Sequence, residues 1–181
     1  MSKPIAILSA TRTPMGGMMG SLSALSAAEL GATAIRAAVQ KSTLEHSQID
    51  EVLMGCVLTA GVGQAPARQA ALAAGLTQDT SCTTINKVCG SAMKAVMMAS
   101  NALRAGQAST MIAGGMESMS RAPYLIPQGR QGYRFGHAQM LDHMQYDGLQ
   151  DAYQGVAMGC FAEKCADKYN FSRELQDAYA I

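Results

Sequence analysis

Thiols and imidazoles are the side chains here best placed to do nucleophilic or metal chemistry. The 181-residue sequence has five cysteines, Cys56, Cys82, Cys89, Cys160 and Cys165, and three histidines, His46, His137 and His143. No two cysteines form a CxxC pair, and no histidine lies at ligand spacing from a cysteine pair, so a structural zinc site is not expected. An odd cysteine count without a secretory leader argues against a disulfide framework. Cys89 stands apart from the other four. It lies in "INKVCGSAMKA", where an apolar approach ends and small residues open a helical stretch. A thiol at a helix N-terminus faces unpaired N–H groups and the positive end of the macrodipole, and both favour the thiolate. The small residues Gly90, Ser91 and Ala92 let a ligand or another backbone come close. The reading is of a nucleophilic thiol for covalent catalysis. The alternative is a free cysteine that packs as a small hydrophobe. Cys56 and Cys82 read as core residues and Cys160 and Cys165 as packing, and no histidine sits in a recognisable base motif.

The elements that must position Cys89 follow from pattern. Ile5 to Leu8, bounded by Pro4 and a Thr-Arg-Thr-Pro turn, predicts a buried strand. Ser26-Ala-Ala-Glu29 has the form of a capping box. It predicts a helix to about Lys41, with Leu30, Ala34, Ala37 and Ala38 on one face. Ile49 to Leu58 predicts a second strand, and Ala65 to about Ala74 a helix stopped by Gly75. Ser81 to Asn86 predicts a third strand. Gly90 to Arg104 predicts a long helix, apolar almost all round and therefore expected to be buried. Thr110 to Ala113 predicts a fourth strand. Such alternation implies an α/β fold, a parallel-rich sheet covered by helices on both faces. Cys89 would then sit at the carboxyl end of the sheet, where ligands bind in open α/β folds. From Arg121 the chain becomes an irregular excursion rich in Pro, Gly and aromatics. Ala162 to about Tyr169 predicts a helix, and Ser172 an N-cap for one more.

Bulk properties narrow the function classes. With 14 basic and 13 acidic residues the net charge is +1, which gives no electrostatic case for nucleic acid or an anionic membrane. No apolar run approaches the length of a membrane span. The N-terminus has neither an apolar signal region nor a transit pattern, so a cytoplasmic protein is expected.

The blocks around Cys89 carry a resemblance. "INKVCGSAMKAVMMASNALRAG" followed by "ASTMIAGGMESMSRAPYL" resembles the active-site block of the thiolases, nearest to the acetyl-CoA acetyltransferase (acetoacetyl-CoA thiolase) branch. It extends upstream through "SATRTPMGGMMGSL" and "VLMGCVLTAGVGQAPARQAALAAGL", and downstream through "DGLQDAYQGVAMGCFAEKCADKYNFSRELQDAYA". Cys-Gly-Ser resembles the acetoacetyl-type branch more than the long-chain degradative one, which usually shows Cys-Ser-Ser. The resemblance implies a thiolase-like fold, residues 1–117 forming the N-terminal α/β domain and residues 118–181 a partial loop domain. It implies that Cys89 takes the acyl group of an acyl-CoA as a thioester, and that Leu149 and Met158 line the acyl pocket. A gap-filling core methionine is the alternative at Met158. Coenzyme A thioesters are then substrates, no other cofactor or metal is implied, and a homodimer or homotetramer is expected. Ala157 stands where the family often has histidine, and Ala92 where glycine is usual.

The same resemblance implies partners that these residues lack. Thiolases carry a histidine in Gly-His-Pro and a second cysteine in Cys-x-Gly, one to activate the nucleophile and one to deprotonate acetyl-CoA. Neither motif occurs in the sequence. The expectation is an N-terminal portion of a thiolase, cut inside a helix and inactive by itself. The alternative is a non-catalytic thiolase-like module that binds acyl-CoA or a partner chain.

Overall fold

The computed structural model describes residues 4–181. Its centre is a three-stranded parallel sheet in the order β2-β1-β3, built from β1 (Glu51–Gly55), β2 (Ser81–Ile85) and β3 (Met111–Gly115). The register pairs Gly55 with both Ile85 and Gly115, so all three strands end at one level. β1 is central, and its side chains alternate as a pleated strand requires. Val52 and Met54 join the core formed with α1 (Ala27–Ser42) and α2 (Pro66–Ala73), while Leu53 meets Ala95 and Ala99 of α3 (Ser91–Arg104) on the other face. Helices therefore cover both faces, as the alternation predicts.

α1 starts as its sequence dictates. Ser26 accepts the Glu29 N–H, and the Glu29 carboxylate accepts the Ser26 N–H in return. The Ser26 N–H first, and then the Ser26 hydroxyl donating at 2.7 Å, hold the Glu29 carboxyl below the usual carboxylate range. The core face of α1 is turned from the expected one. Ala27, Ala28, Gly31, Ala32, Ile35 and Val39 are buried, whereas Leu30, Ala34, Ala37 and Ala38 are half-buried.

The N-terminal segment overlies those half-buried positions. Ser9 Oγ donates to the Ala38 carbonyl at 2.8 Å, and Thr11 Oγ1 to that of Ala34 at 2.8 Å. The expected strand over Ile5 to Leu8 is absent, and Ile7 is 84% exposed. Short apolar runs are buried as strands only when a neighbour supplies a ladder, and none of the sheet's three strands pairs with this one.

β1 is shorter than the run from Ile49 to Leu58, although both of those residues are buried. The N–H groups of Val57 and Leu58 leave the ladder and donate to the Glu117 carboxylate at 2.8 and 3.1 Å. α3 also departs from expectation. Only Ser91, Ala95 and Ala99 are buried, and Met93 is 67% exposed, with Val96 and Met97 about half exposed beside it. One face packs on the sheet, and Met93, Val96 and Met97 stand exposed on the outer face.

By internal contacts the chain divides into two compact units, the first ending at Tyr124 and the second spanning Leu125–Ile181. The second contains most of a two-stranded pairing of β4 (Tyr124–Leu125) with β5 (Leu141–Asp142) and a π-helical turn at Met144–Leu149. It ends in α4 (Met158–Tyr169) and α5 (Arg173–Ala180). α4 begins four residues earlier than the pattern suggests. Ser172 caps α5 by accepting the Leu175 N–H, as expected. Cys160 and Cys165 are exposed on α4 rather than packed, and Cys82 is half-buried rather than core.

Candidate active site

The turn that carries Cys89 is assembled from its neighbours. β2 ends at Ile85, and the Asn86 side chain accepts the Val88 N–H at 2.8 Å, a local bond that turns the chain. Gly90 N–H then donates to the Lys87 carbonyl at 3.1 Å, and Ser91 N–H to that of Val88 at 3.0 Å. The Ser91 hydroxyl closes the turn: it accepts the Lys87 N–H at 2.9 Å and donates to the Val88 carbonyl at 2.6 Å. Val88 is left with φ +49°, in the left-handed region. A β-branched residue is strained there, and surrounding bonds must enforce it. Cys89 follows at the exposed crest, just ahead of Gly90, the N-cap of α3.

The floor beneath this turn is made by two strand ends. A Cβ at Gly55 would lie 2.5 Å from Ser91 Cβ and 3.0 Å from the Ala92 nitrogen. One at Gly115 would lie 2.9 Å from Ala92 Cβ. Only glycine lets the ends of β1 and β3 meet the first turn of α3 this closely. Cys56 follows β1 directly, and Glu117 stands two residues beyond the end of β3. The Glu117 carboxylate accepts the Cys56 thiol at 3.6 Å besides the two N–H groups already named, tying the end of β1 to the end of β3. Burial, and then the Glu117 charge, push the Cys56 thiol up to about 12. It is an inert, protonated thiol, whereas Cys89 is exposed.

Leu149 and Met158 lie in the second unit. The chain between them folds back on itself through a bridge of Gln150 with Ala157 and an Asp151 N–H bond to the Val156 carbonyl at 2.8 Å. The two residues therefore flank one closed loop. Leu149 ends the π turn and is 36% exposed; Met158 opens α4 and is 48% exposed. His143, buried just before the π turn, is held at 2.5 Å by the Asp147 carboxylate. His137 lies in an exposed stretch.

Sequence pattern located Cys89 and the strand, turn and helix around it. It missed Asn86, Ser91 and Glu117 as the groups that hold the turn and its floor. Asn two residues before an apolar residue, ahead of a helix, was a usable turn signal. Nothing in the sequence marks Val88 as left-handed.

Comparison with known proteins agrees with this geometry. The family described as "Thiolase, N-terminal domain" matches residues 5–181. "Acetyl-CoA acetyltransferase 2" of Arabidopsis thaliana is 49% identical over 179 residues, 99% of this chain and 44% of that protein. "Acetyl-CoA acetyltransferase" of Cupriavidus necator is 50% identical over 177 residues, 98% and 45% of the respective chains. Among solved structures, the Acat5 thiolase of Ascaris suum in complex with coenzyme A superposes with a TM-score of 0.89 at 44% identity, covering 96% of this chain and 45% of that one. The chain thus spans rather less than half the length of the relatives it matches. With its helix-tip thiol on a parallel sheet and a family match over nearly every residue, it belongs to the thiolase family, of which it holds the N-terminal domain.

Proposed function

We propose that these residues supply the acyl-accepting part of an acetyl-CoA acetyltransferase, with Cys89 as the nucleophile. The observation that carries the reading is the exposed thiol at the tip of α3, clamped on a strained turn, in a chain about half identical to acetyl-CoA acetyltransferases. The Cys89 thiolate attacks the thioester carbonyl of acetyl-CoA, and coenzyme A leaves as its thiol after taking a proton. The acetyl group then stands on Sγ. A second acetyl-CoA, deprotonated at its methyl carbon, attacks that carbonyl, giving acetoacetyl-CoA and freeing the thiolate. In reverse, coenzyme A cleaves a 3-ketoacyl-CoA. The Cys89 N–H, just ahead of a helix N-terminus, suits the oxyanion of each tetrahedral intermediate. Leu149 and Met158 fit the wall of the acyl pocket, on either side of their closed loop.

The base for Cys89 and the group that deprotonates the second acetyl-CoA are assigned to the part of the relatives this chain does not match. The 181 residues alone are therefore expected to give no turnover, since nucleophile and base act as a unit. Coenzyme A thioesters are the substrates, with no metal or further cofactor. A homodimer or homotetramer in the cytoplasm belongs to the same proposal. A second reading, a binding module that catalyses nothing, is favoured only by the exposed apolar face of α3.

Transfer of the acetyl group to Cys89 separates the two, since a binding module would shield the thiol without becoming acetylated; protection from alkylation tests occupancy of the site. Acetyl-CoA should slow iodoacetamide labelling of Cys89 while Cys160 and Cys165, both exposed, stay at their unprotected rates. Unchanged labelling of Cys89 at saturating acetyl-CoA contradicts the catalytic reading.

A further inference from the structure

The geometry points to Ser91 as a positioning residue for the nucleophile. This rests on Cys89 being the acyl acceptor. Ser91 is buried, with 5% of its surface exposed, and its hydroxyl makes two bonds, both to the turn that carries Cys89. One takes the N–H of Lys87, two residues before the thiol. The other reaches the carbonyl of Val88, immediately before it. The hydroxyl therefore spans the nucleophile from its own place in the first turn of α3. Its Cβ cannot retreat towards the sheet, because the Gly55 backbone lies directly beneath.

What this bracket enforces is visible at Val88. A valine at φ +49° relaxes toward negative φ unless something holds it. Relaxation there would rotate the following peptide, which carries the Cys89 N–H, and would swing the thiol off the helix tip. Asn86 holds the N–H side of Val88 and Ser91 holds its carbonyl side. Ser91 is the first residue of α3, and its side chain turns back to the loop. Gly90, the N-cap itself, offers no side-chain cap. The serine thus acts through the conformation of residues 87–89, and it does not touch the reacting atoms.

The test uses the alkylation rate of Cys89 by iodoacetamide, mapped by peptide, in the unsubstituted protein and in Ser91→Ala, Val88→Asn and the double variant. Ser91→Ala should slow Cys89 about tenfold, the scale on which small misplacements act. Asparagine accepts left-handed φ more readily than valine does. Val88→Asn should therefore restore in the double variant most of the rate lost in Ser91→Ala, with the Val88→Asn single variant as its reference. A merely structural serine would show no such rescue. A native rate in Ser91→Ala, or a double variant as slow as Ser91→Ala at equal thermal stability, overturns the proposal. Amide exchange on the unsubstituted protein reads the same bracket without any variant: the Lys87 N–H should exchange slowly and that of Cys89 fast. A fast Lys87 also overturns it. A Cys89 that is no faster than Cys160 and Cys165 in the unsubstituted protein would sink the nucleophile assignment itself, and is distinguishable from either result.

Discussion

Cys89 and Cys56 show how the same side chain receives opposite characters a short distance apart in the fold. Cys56 ends a central strand, is buried and lies against the Glu117 carboxylate, so its thiol is held up to about 12. A thiol raised in the folded state stays protonated through the range where an ordinary cysteine ionises. Native Cys56 should resist iodoacetamide at mildly alkaline pH and react at once in denaturant; labelling in the native state as fast as that of Cys160 would contradict this. The linkage runs the same way: the stability from keeping Cys56 neutral is present below the ordinary thiol value and lost as pH rises from there towards 12. Gly55 offers a steric test. In Gly55→Ala the new methyl would meet Ser91 at under 3 Å. The first turn of α3 must then shift, at a cost of about 1–3 kcal/mol. Thermal unfolding should show that loss, with slower alkylation of Cys89; an unchanged melting curve would contradict the close approach. The thiol at a strand-turn-helix junction was legible in the sequence. The left-handed valine and the bracketing serine were not, because their conformations come from bonds made only once the turn is closed.

At the scale of elements, local signals read well and tertiary ones poorly. The capping box of α1 and the N-cap of α5 are written in a few adjacent residues, and both formed as read. Ser26→Ala should cost about 1 kcal/mol in urea unfolding, and no loss would mean the cap is not stabilising. The predicted strand at Ile5 to Leu8 and the predicted burial of α3 needed partners that local pattern cannot supply. Asp50, just ahead of β1, shows a bond of the same tertiary kind. Its carboxylate accepts the N–H groups of Ser109 at 2.7 Å and Thr110 at 3.0 Å, anchoring the start of β3. Those bonds, that of Ser109 first, hold its carboxyl below the usual range. A carboxyl lowered on folding adds stability above its unfolded value, and that stability disappears as pH falls through the folded one. Asp50→Asn should therefore be less stable than the unsubstituted protein at neutral pH, with the gap closing below about pH 4. A constant gap across that range would contradict the account.

For the whole molecule, the informative feature is apolar surface left in the open. Met93, Val96 and Met97 form one exposed stripe on α3, the helix that begins beside Cys89. An apolar face of this kind marks an association surface. Replacing Met93 and Met97 by glutamate should reduce concentration-dependent association in sedimentation velocity without lowering the melting temperature. Association that persists unchanged would place the contact elsewhere. The chain matches less than half the length of its relatives, so acyl transfer to Cys89 can be tested by itself while turnover cannot. Incubation with acetyl-CoA followed by intact mass and peptide mapping tests the central claim most directly. The account predicts one acetyl group, on Cys89, and none in Cys89→Ala. Acetylation spread over the exposed cysteines, or none on a Cys89 that still reacts with iodoacetamide, would contradict it.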